Sequence, residues 1–390
     1  MPHSGKTPQN YTAWDAPTLP PQQPEDIAPP PLPPELTGDL PGEGSPVPSR
    51  RRRAPVTRRF ASAGRWPIVR RVLLVLALVM IIAAGLLSHR LWDFGSAIST
   101  QGPLTTQTGF MTGSDRVNIL VMGYGGGQHP GTNLTDSMIV ISLNPKDNAT
   151  TMISVPRDLW VQVPPGSGNY GKLNSAYEDG VANGFDGMQA GPVAGGAEAA
   201  RKVTDITGLP INYWLTMDFS GFRALVDALG GVDLNVPVGW SAINVGGDGL
   251  PGDGTATFKA GWQHMDGARA LQYARARYIT SPASEGTDFA RSRRQLLLIH
   301  AIVDRARSLN ALPGLLGGLD ALQQTIYTNM SLADLSLFTM KADINHATMV
   351  GLTNQNVLQD GTSGDGQYIL QPANGDWGAV QRYIADHLKP

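Results

Sequence analysis

Thr287-Asp-Phe-Ala-Arg-Ser-Arg-Arg-Gln295 opens the segment that decides how the rest of the chain is read. With Asp288 as a helix cap, Arg291, Arg294 and Gln295 fall at i, i+3 and i+4 on one face, and Arg293 points elsewhere. The following turns carry Leu296, Leu297, Leu298, Ile299, Ile302 and Val303, apolar on nearly every side, the pattern of a buried helix. The first turn therefore sets guanidinium groups at the edge of a core, beside a positive helix N-terminus. Just upstream, Tyr273-Ala-Arg-Ala-Arg277 brings the total to five arginines within twenty residues. Such a place suits phosphate or pyrophosphate, which arginine forks grip in a bidentate way. The plain alternative is a solvated charged turn paired to carboxylates. One arginine would favour that alternative; a cluster beside Arg275 and Arg277 favours the anion site.

The chain has 390 residues, room for one large domain with appendages and a sizeable core. Its net charge of −2 hides an asymmetry: ten Lys and Arg stand against six Asp and Glu up to Arg71, and 20 against 26 after it. That split argues against a nucleic-acid footprint and fits a basic flank at a membrane. With no cysteine, disulfides, thiolate metal sites and cysteine nucleophiles are excluded.

Residues 1–66 read as a disordered Pro-rich and basic cytoplasmic tail, with Pro29-Pro-Pro-Leu-Pro-Pro34 and Arg50-Arg-Arg-Arg53 as its marks. Residues 67–91 read as a single transmembrane anchor. Val72 to Ser88 carries no charge, Trp66 and Trp92 bracket the span, and the preceding arginines place the N-terminus in the cytoplasm. A cleaved signal peptide is the weaker alternative after so long a tail. Residues 92–114 read as a stalk and 115–345 as an extracytoplasmic domain. Residues 346–390 are expected to pack on that domain or complete it. Val117-Asn-Ile-Leu-Val-Met122 has the continuous apolar character of a central strand, and Ser137–Leu143 with Thr150–Val155 reads as a hairpin. Pro156-Arg-Asp158 ends the second strand, so Arg157 is expected to face the pocket of the later arginines. Helices are expected from Gly171 to Tyr177 onward, and over Ala197–Thr207, Phe219–Leu229, Ser331–Met340 and Trp377–Leu388. Further strands are expected over Ile211–Met217 and Val232–Val238, and two more within 347–371. Ser241–Gly254 and Leu309–Gly318 read as loops. Strands alternating with helices indicate a layered α/β domain.

Seven segments in order resemble the LytR-CpsA-Psr family of membrane-anchored enzymes that attach glycopolymers to the bacterial cell wall. They are Leu134-Thr-Asp-Ser-Met138, Ser154-Val-Pro-Arg-Asp158, Gly171-Lys-Leu-Asn-Ser-Ala-Tyr177, Leu225-Val-Asp-Ala-Leu-Gly-Gly-Val232, Met265-Asp-Gly-Ala-Arg-Ala-Leu271, Ala274-Arg-Ala-Arg277 and Asp288-Phe-Ala-Arg-Ser-Arg-Arg-Gln295. They span roughly 115–310, and the resemblance fades beyond about 345. It implies a three-layer α-β-α domain with a mixed central sheet and an apolar tunnel for a polyprenyl chain. A pocket at the tunnel mouth would take pyrophosphate with magnesium. By the same resemblance Arg157, Arg275, Arg277 and Arg291 would bind the pyrophosphate with Gln295 assisting. Asp136 would be a metal-linked carboxylate. Asp158 and Asp288 would support the arginines, and Lys172 would lie near the pocket; Arg294, on the helix face it shares with Arg291, is counted with the substrate-binding residues on that spacing. The family's Gly-x-Asp reads Gly123-Tyr124-Gly125 here, and its Arg-Thr-Asp reads Leu134-Thr135-Asp136, so one carboxylate and one arginine are missing. His129 in that loop is a candidate replacement ligand; the plain reading is an exposed side chain.

The implied activity is transfer of a glycopolymer from a polyprenyl-pyrophosphate carrier to an acceptor glycan of the cell wall, outside the membrane, with Asp158 or Asp136 taking the proton. Three other readings compete: a non-catalytic holder of polyprenyl lipid, a pyrophosphatase on the same lipid, and a transcription regulator, against which the anchor and the acidic domain weigh.

Overall fold

The computed structural model describes residues 66–100, 116–127, 131–243, 255–308, 312–344 and 346–388. The Pro-rich tail, most of the stalk and His129 lie outside this set. Helix α1 (Trp66–Ile98) leads to strands β1 (Val117–Tyr124), β2 (Thr135–Leu143) and β3 (Thr150–Ser154). A short hairpin follows, β4 (Trp160–Gln162) with β5 (Tyr170–Lys172), then α2 (Ser175–Asn183), α3 (Pro192–Thr207), β6 (Tyr213–Asp218) and α4 (Phe219–Ala228). Next come β7 (Val232–Val236), β8 (Trp240–Ile243), β9 (Ala256–Phe258), β10 (Gly261–Met265), α5 (Gly267–Arg275) and β11 (Tyr278–Ser281). The chain closes with α6 (Asp288–Ala306), α7 (Leu312–Leu322), β12 (Ile326–Thr328), α8 (Leu332–Lys341), β13 (Thr348–Gly351), β14 (Leu358–Thr362), β15 (Tyr368–Pro372) and α9 (Trp377–His387).

The central sheet has six strands in the order β12-β6-β1-β2-β3-β13. β6 runs parallel to β1 and β13 parallel to β3, while β2 is antiparallel to both its neighbours, so the sheet is mixed. Alternation along β1 feeds two cores. Leu120, Met122 and Tyr124 pack with Tyr177, Val203, Ile206, Val380 and Ile384 of α2, α3 and α9. Val117 and Ile119 turn the other way, onto Leu296 of α6 and Phe338 of α8. Helices thus cover both faces, the three-layer arrangement expected. α6 is buried on more than one side because it has two partners: Leu296 meets the sheet, while Leu298 and Ala301 meet a second core built from β7–β10, α4 and α5.

Several local expectations change. The N-cap of α6 is Thr287, whose hydroxyl accepts from the Ala290 amide, and Asp288 is the first helical residue. Residues 309–318, read as loop from their glycines, contain the start of α7. A Cβ at Gly314 would run into the Ala228 carbonyl of α4, so glycine there permits helix–helix contact. For the same reason α3 begins at Pro192: Gly195 packs on Tyr177 and Gly196 on the Trp214 ring. Residues 347–371 form three strands, and the glycine-rich 241–254 segment opens in β8. Gly171–Tyr177 spans the end of β5, a turn and the start of α2.

Among the described residues one helix is long and apolar enough to cross a membrane, over Leu73–Ile98 with mean hydropathy 2.1. It runs seven residues beyond the expected anchor. Its last turns are part of the domain: Phe94 and Ile98 are buried against Leu319, Leu322 and Ile326.

Candidate functional site

The C-terminal ends of β3 and β13, parallel and paired through Gly351 and Ser154, stop at one side of a cavity of about 480 Å³. Ligands collect at such strand ends because the chain must leave the sheet there and exposes its loops together. Pro156 cannot continue the β3 ladder, and the next two residues, Arg157 and Asp158, line the cavity. Their backbone is fixed from both sides. The Asn174 amide donates to the Arg157 carbonyl at 3.1 Å, and the Thr135 amide donates to the Asn174 carbonyl at 3.2 Å. This ties the start of β2, and with it Asp136, to the same turn. From the opposite wall the first turns of α6 contribute Thr287, Arg291, Ser292 and Gln295.

Asp136 is the hub. Its Oδ1 accepts from Arg157 Nη1 at 2.5 Å and from Arg277 Nη2 at 3.2 Å. Asp158 is the second: Lys172 Nζ donates to its Oδ1 at 2.9 Å, and Arg157 Nε stands 3.4 Å from Oδ2. Arg275 ends α5 with its guanidinium 4.3 Å from the Phe219 ring centroid. Burial pulls its pKa down, Asp136 opposes that, and the neighbouring Arg277 adds to it. Gln295 donates to the Ala274 carbonyl at 3.4 Å, which joins α6 to the end of α5. The structure therefore brings together Asp136, Arg157, Asp158, Lys172, Arg275, Arg277, Arg291 and Gln295. Among the described residues Arg157, Lys172, Arg275 and Arg277 gather about the two carboxylates, and Arg291 lines the same cavity. Guanidinium and ammonium groups gathered in this way present donors that suit an anion of two or more charges.

Arg294 belongs elsewhere. Its side chain is 1% exposed and donates to the carbonyls of Tyr273, Glu285 and Ala276 at 3.2, 2.7 and 2.6 Å. It also faces the Trp240 ring. Burial lowers its pKa to about 10. This arginine holds the α5–β11 turn against α6 and does not reach the cavity, although it shares a helix face with Arg291 in the sequence pattern. Arg293 pairs with the buried Glu285. The side chain of Asp288 lies outside the described set. Sequence reasoning missed Ser284, Thr353, Asn354, Gln355 and Tyr368, which also line the cavity. They sit in loops and on an edge hairpin, and no local pattern marks them.

A model of the LytR_cpsA_psr family matches residues 96–384. The chain belongs to the LytR-CpsA-Psr family. The match continues well past residue 345, where the resemblance in sequence fades, and includes the β13–β15 wall of the cavity. Curated relatives include a polyisoprenyl-teichoic acid–peptidoglycan teichoic acid transferase TagU of Enterococcus faecalis, 30% identical over 58% of this chain and 63% of that protein. TagV of Bacillus subtilis, named for the same transfer, is 28% identical over 62% of this chain and 59% of its own length. The chain thus spans about three fifths of these relatives. The crystal structure of B. subtilis TagV aligns with 71% of this chain and 100% of that chain at a TM-score of 0.53 and 24% identity, a likeness of fold.

The magnesium that the family resemblance implies can be tested on the donor set. Among the described residues no group of three or more His, Asp and Glu gathers to hold a metal. The one matching carboxylate, Asp136, accepts from Arg157 and Arg277 through its Oδ1. Mg²⁺ uses one or two carboxylates free to coordinate, together with substrate phosphates. Among the described residues the donor set offers no all-protein cage, and Asp136 is the carboxylate that would hold Mg²⁺ together with substrate phosphates.

Proposed function

We propose that this LytR-CpsA-Psr protein is a membrane-anchored phosphotransferase that moves a glycopolymer from a polyprenyl-pyrophosphate carrier to a cell-wall glycan. The observation that carries this reading is the convergence of Arg157, Arg275, Arg277 and Lys172 on Asp136 and Asp158, with Arg291 lining the cavity beside them. The names of the curated relatives supply the direction of transfer. The pyrophosphate lies among the guanidinium groups, which grip its oxygens and hold the charge that grows on the leaving phosphate. A sugar hydroxyl of the acceptor attacks the sugar-proximal phosphorus. A bond forms from that oxygen to phosphorus, the bond to the distal phosphate breaks, and prenyl phosphate leaves with the electron pair. The hydroxyl proton passes to a carboxylate. Asp136 takes this role in preference to Asp158, because its side chain is 32% exposed against 11% and so is the more accessible to an incoming acceptor. Positioning and charge account for the acceleration, since the chain need form no covalent intermediate. The residues after α1 lie outside the cytoplasmic membrane, where the acceptor is.

The test is transfer from a lipid-linked glycan to peptidoglycan by Arg157→Ala and Arg291→Ala proteins. Each is expected to lose at least about a hundredfold in rate, the scale of removing one charge-stabilising donor, with an unchanged circular dichroism spectrum. Wild-type rates in both would end the proposal. Release of free glycan phosphate with water as acceptor would replace transfer by hydrolysis.

A further inference from the structure

The passage from apolar span to folded domain is short. About twenty residues fill the ~30 Å hydrocarbon layer of a bilayer. Counted from Val69, with Arg70 and Arg71 snorkelling back, they end at Ser88. His89, Arg90 and Asp93 are the first ionisable side chains after Arg71. Trp92 among them is 54% exposed, which suits an aromatic anchor at the head-group level. Phe94 follows about 9 Å along the helix from Ser88 and is already buried with Leu319 and Leu322 of α7. A second contact sits closer to the lipid. Arg90 Nη1 donates to Asp320 Oδ2 of α7 at 3.4 Å. Helical side chains lean toward their N-terminus, which in α1 is toward the span. Asp320 is thus held at the depth of Arg90, about 3 Å past Ser88 along the helix. The head-group layer is about 5–7 Å deep on each side of the hydrocarbon, so this end of α7 falls inside it.

The composition of α7 suits that depth. Its only charge is Asp320, which Arg90 pairs, whereas each of α2–α6, α8 and α9 carries two or more. Gly317, Asp320 and Ala321, at i, i+3 and i+4, make one exposed face of the helix, and the exposed Gln324 follows it. Small residues, an amide and a neutralised carboxylate enter a head-group layer without stripping water from an unpaired charge.

We propose that α7 is an interfacial helix whose face of Gly317, Asp320 and Ala321 lies in the head-group layer of the bilayer that α1 crosses. This rests on the membrane-anchored reading and adds to it a second lipid contact, made by the folded domain. One helix alone leaves the tilt of its domain open. A helix seated in the head groups beside it fixes that tilt, and with it the side of the domain turned to the lipid.

Because the chain has no cysteine, a nitroxide can be attached at one introduced thiol at a time. The full chain is reconstituted in nanodiscs of phosphatidylcholine and phosphatidylglycerol as Gly317→Cys, Ala321→Cys, Met80→Cys or Lys146→Cys. A Cβ at Gly317 meets nothing within 4 Å, and Ala321 reads the same face should that variant fold poorly. Met80, 70% exposed on the span, is the lipid reference, and the exposed Lys146 is the water reference. Power saturation reads collisions with oxygen, which concentrates in lipid, and with a neutral nickel chelate, which stays in water. Labels at Gly317 and Ala321 are expected to meet nickel several-fold less often than the label at Lys146, and oxygen more often. Nickel collisions at both sites equal to those at Lys146, with Met80 still in lipid, overturn the interfacial helix and leave the anchor standing. Loss of collisions with both reagents means that protein, such as a second copy of this chain, covers the face, and it also overturns the proposal. Nickel reaching Met80 as freely as Lys146 sinks the anchor reading and the inference with it.

Discussion

Two arginines three residues apart on α6 have opposite tasks. Arg291 lines the cavity, while Arg294 satisfies three main-chain carbonyls in the interior. Arg294→Ala strands those carbonyls and leaves Glu285 with one cation fewer, at a cost of about 3–5 kcal/mol. Urea unfolding should show that loss, and Arg157→Ala should not. Glu198 poses a different question. It is fully buried on α3, and among the described residues neither carboxylate oxygen has a hydrogen-bond partner. Burial, then the charge of Asp179, raises its pKa from 4.5 to about 7, with Lys202 opposing. The unfolded chain releases this proton near 4.5 and the folded chain near 7. The stability it contributes is therefore complete below 4.5 and is lost as pH climbs to about 7. Glu198→Gln should flatten that decline in the thermal midpoint between these pH values. A variant with the wild-type slope would assign the titration elsewhere. The arginine cluster was legible because charge is rare in this chain and the helix behind it is apolar. The split between Arg291 and Arg294 was not, since spacing puts both on one face and only the α5–β11 turn decides which is enclosed.

At the level of elements, glycine misleads in two places for one reason. In α3 and α7 it occurs where another helix or ring comes too close for a side chain. Gly196→Ala tests this. Helix propensity alone predicts a gain of about 1 kcal/mol. A Cβ there meets the Trp214 ring, and overpacking of that kind costs about 1–3 kcal/mol. A lowered melting temperature is expected, and a raised one would mean the contact relaxes freely. The central strands were readable because β1, β2 and β3 are buried over most of their lengths and written in continuous apolar runs. β13 was harder: it pairs with β3 across nearly two hundred residues, and no local pattern records such a partner. The cavity wall after β13 was hidden for the same reason.

For the whole molecule, orientation is the open quantity with a direct test. The chain has no cysteine, so a single introduced thiol reports without background. Lys146→Cys, at the exposed tip of the β2–β3 hairpin, should react with a membrane-impermeant maleimide in intact cells. Labelling only after lysis would place the domain in the cytoplasm and remove its acceptor.

Because α1 runs on past its apolar span until Phe94 and Ile98 are locked into the domain, the membrane-anchored transferase proposed above would ride on a helical post instead of a tether. Its working height is then set by helix rise, about 1.5 Å for each residue beyond the lipid surface. Such a machine cannot stoop or stretch to meet its substrates. On the proposed function, carrier and wall strand must both be delivered to one fixed altitude.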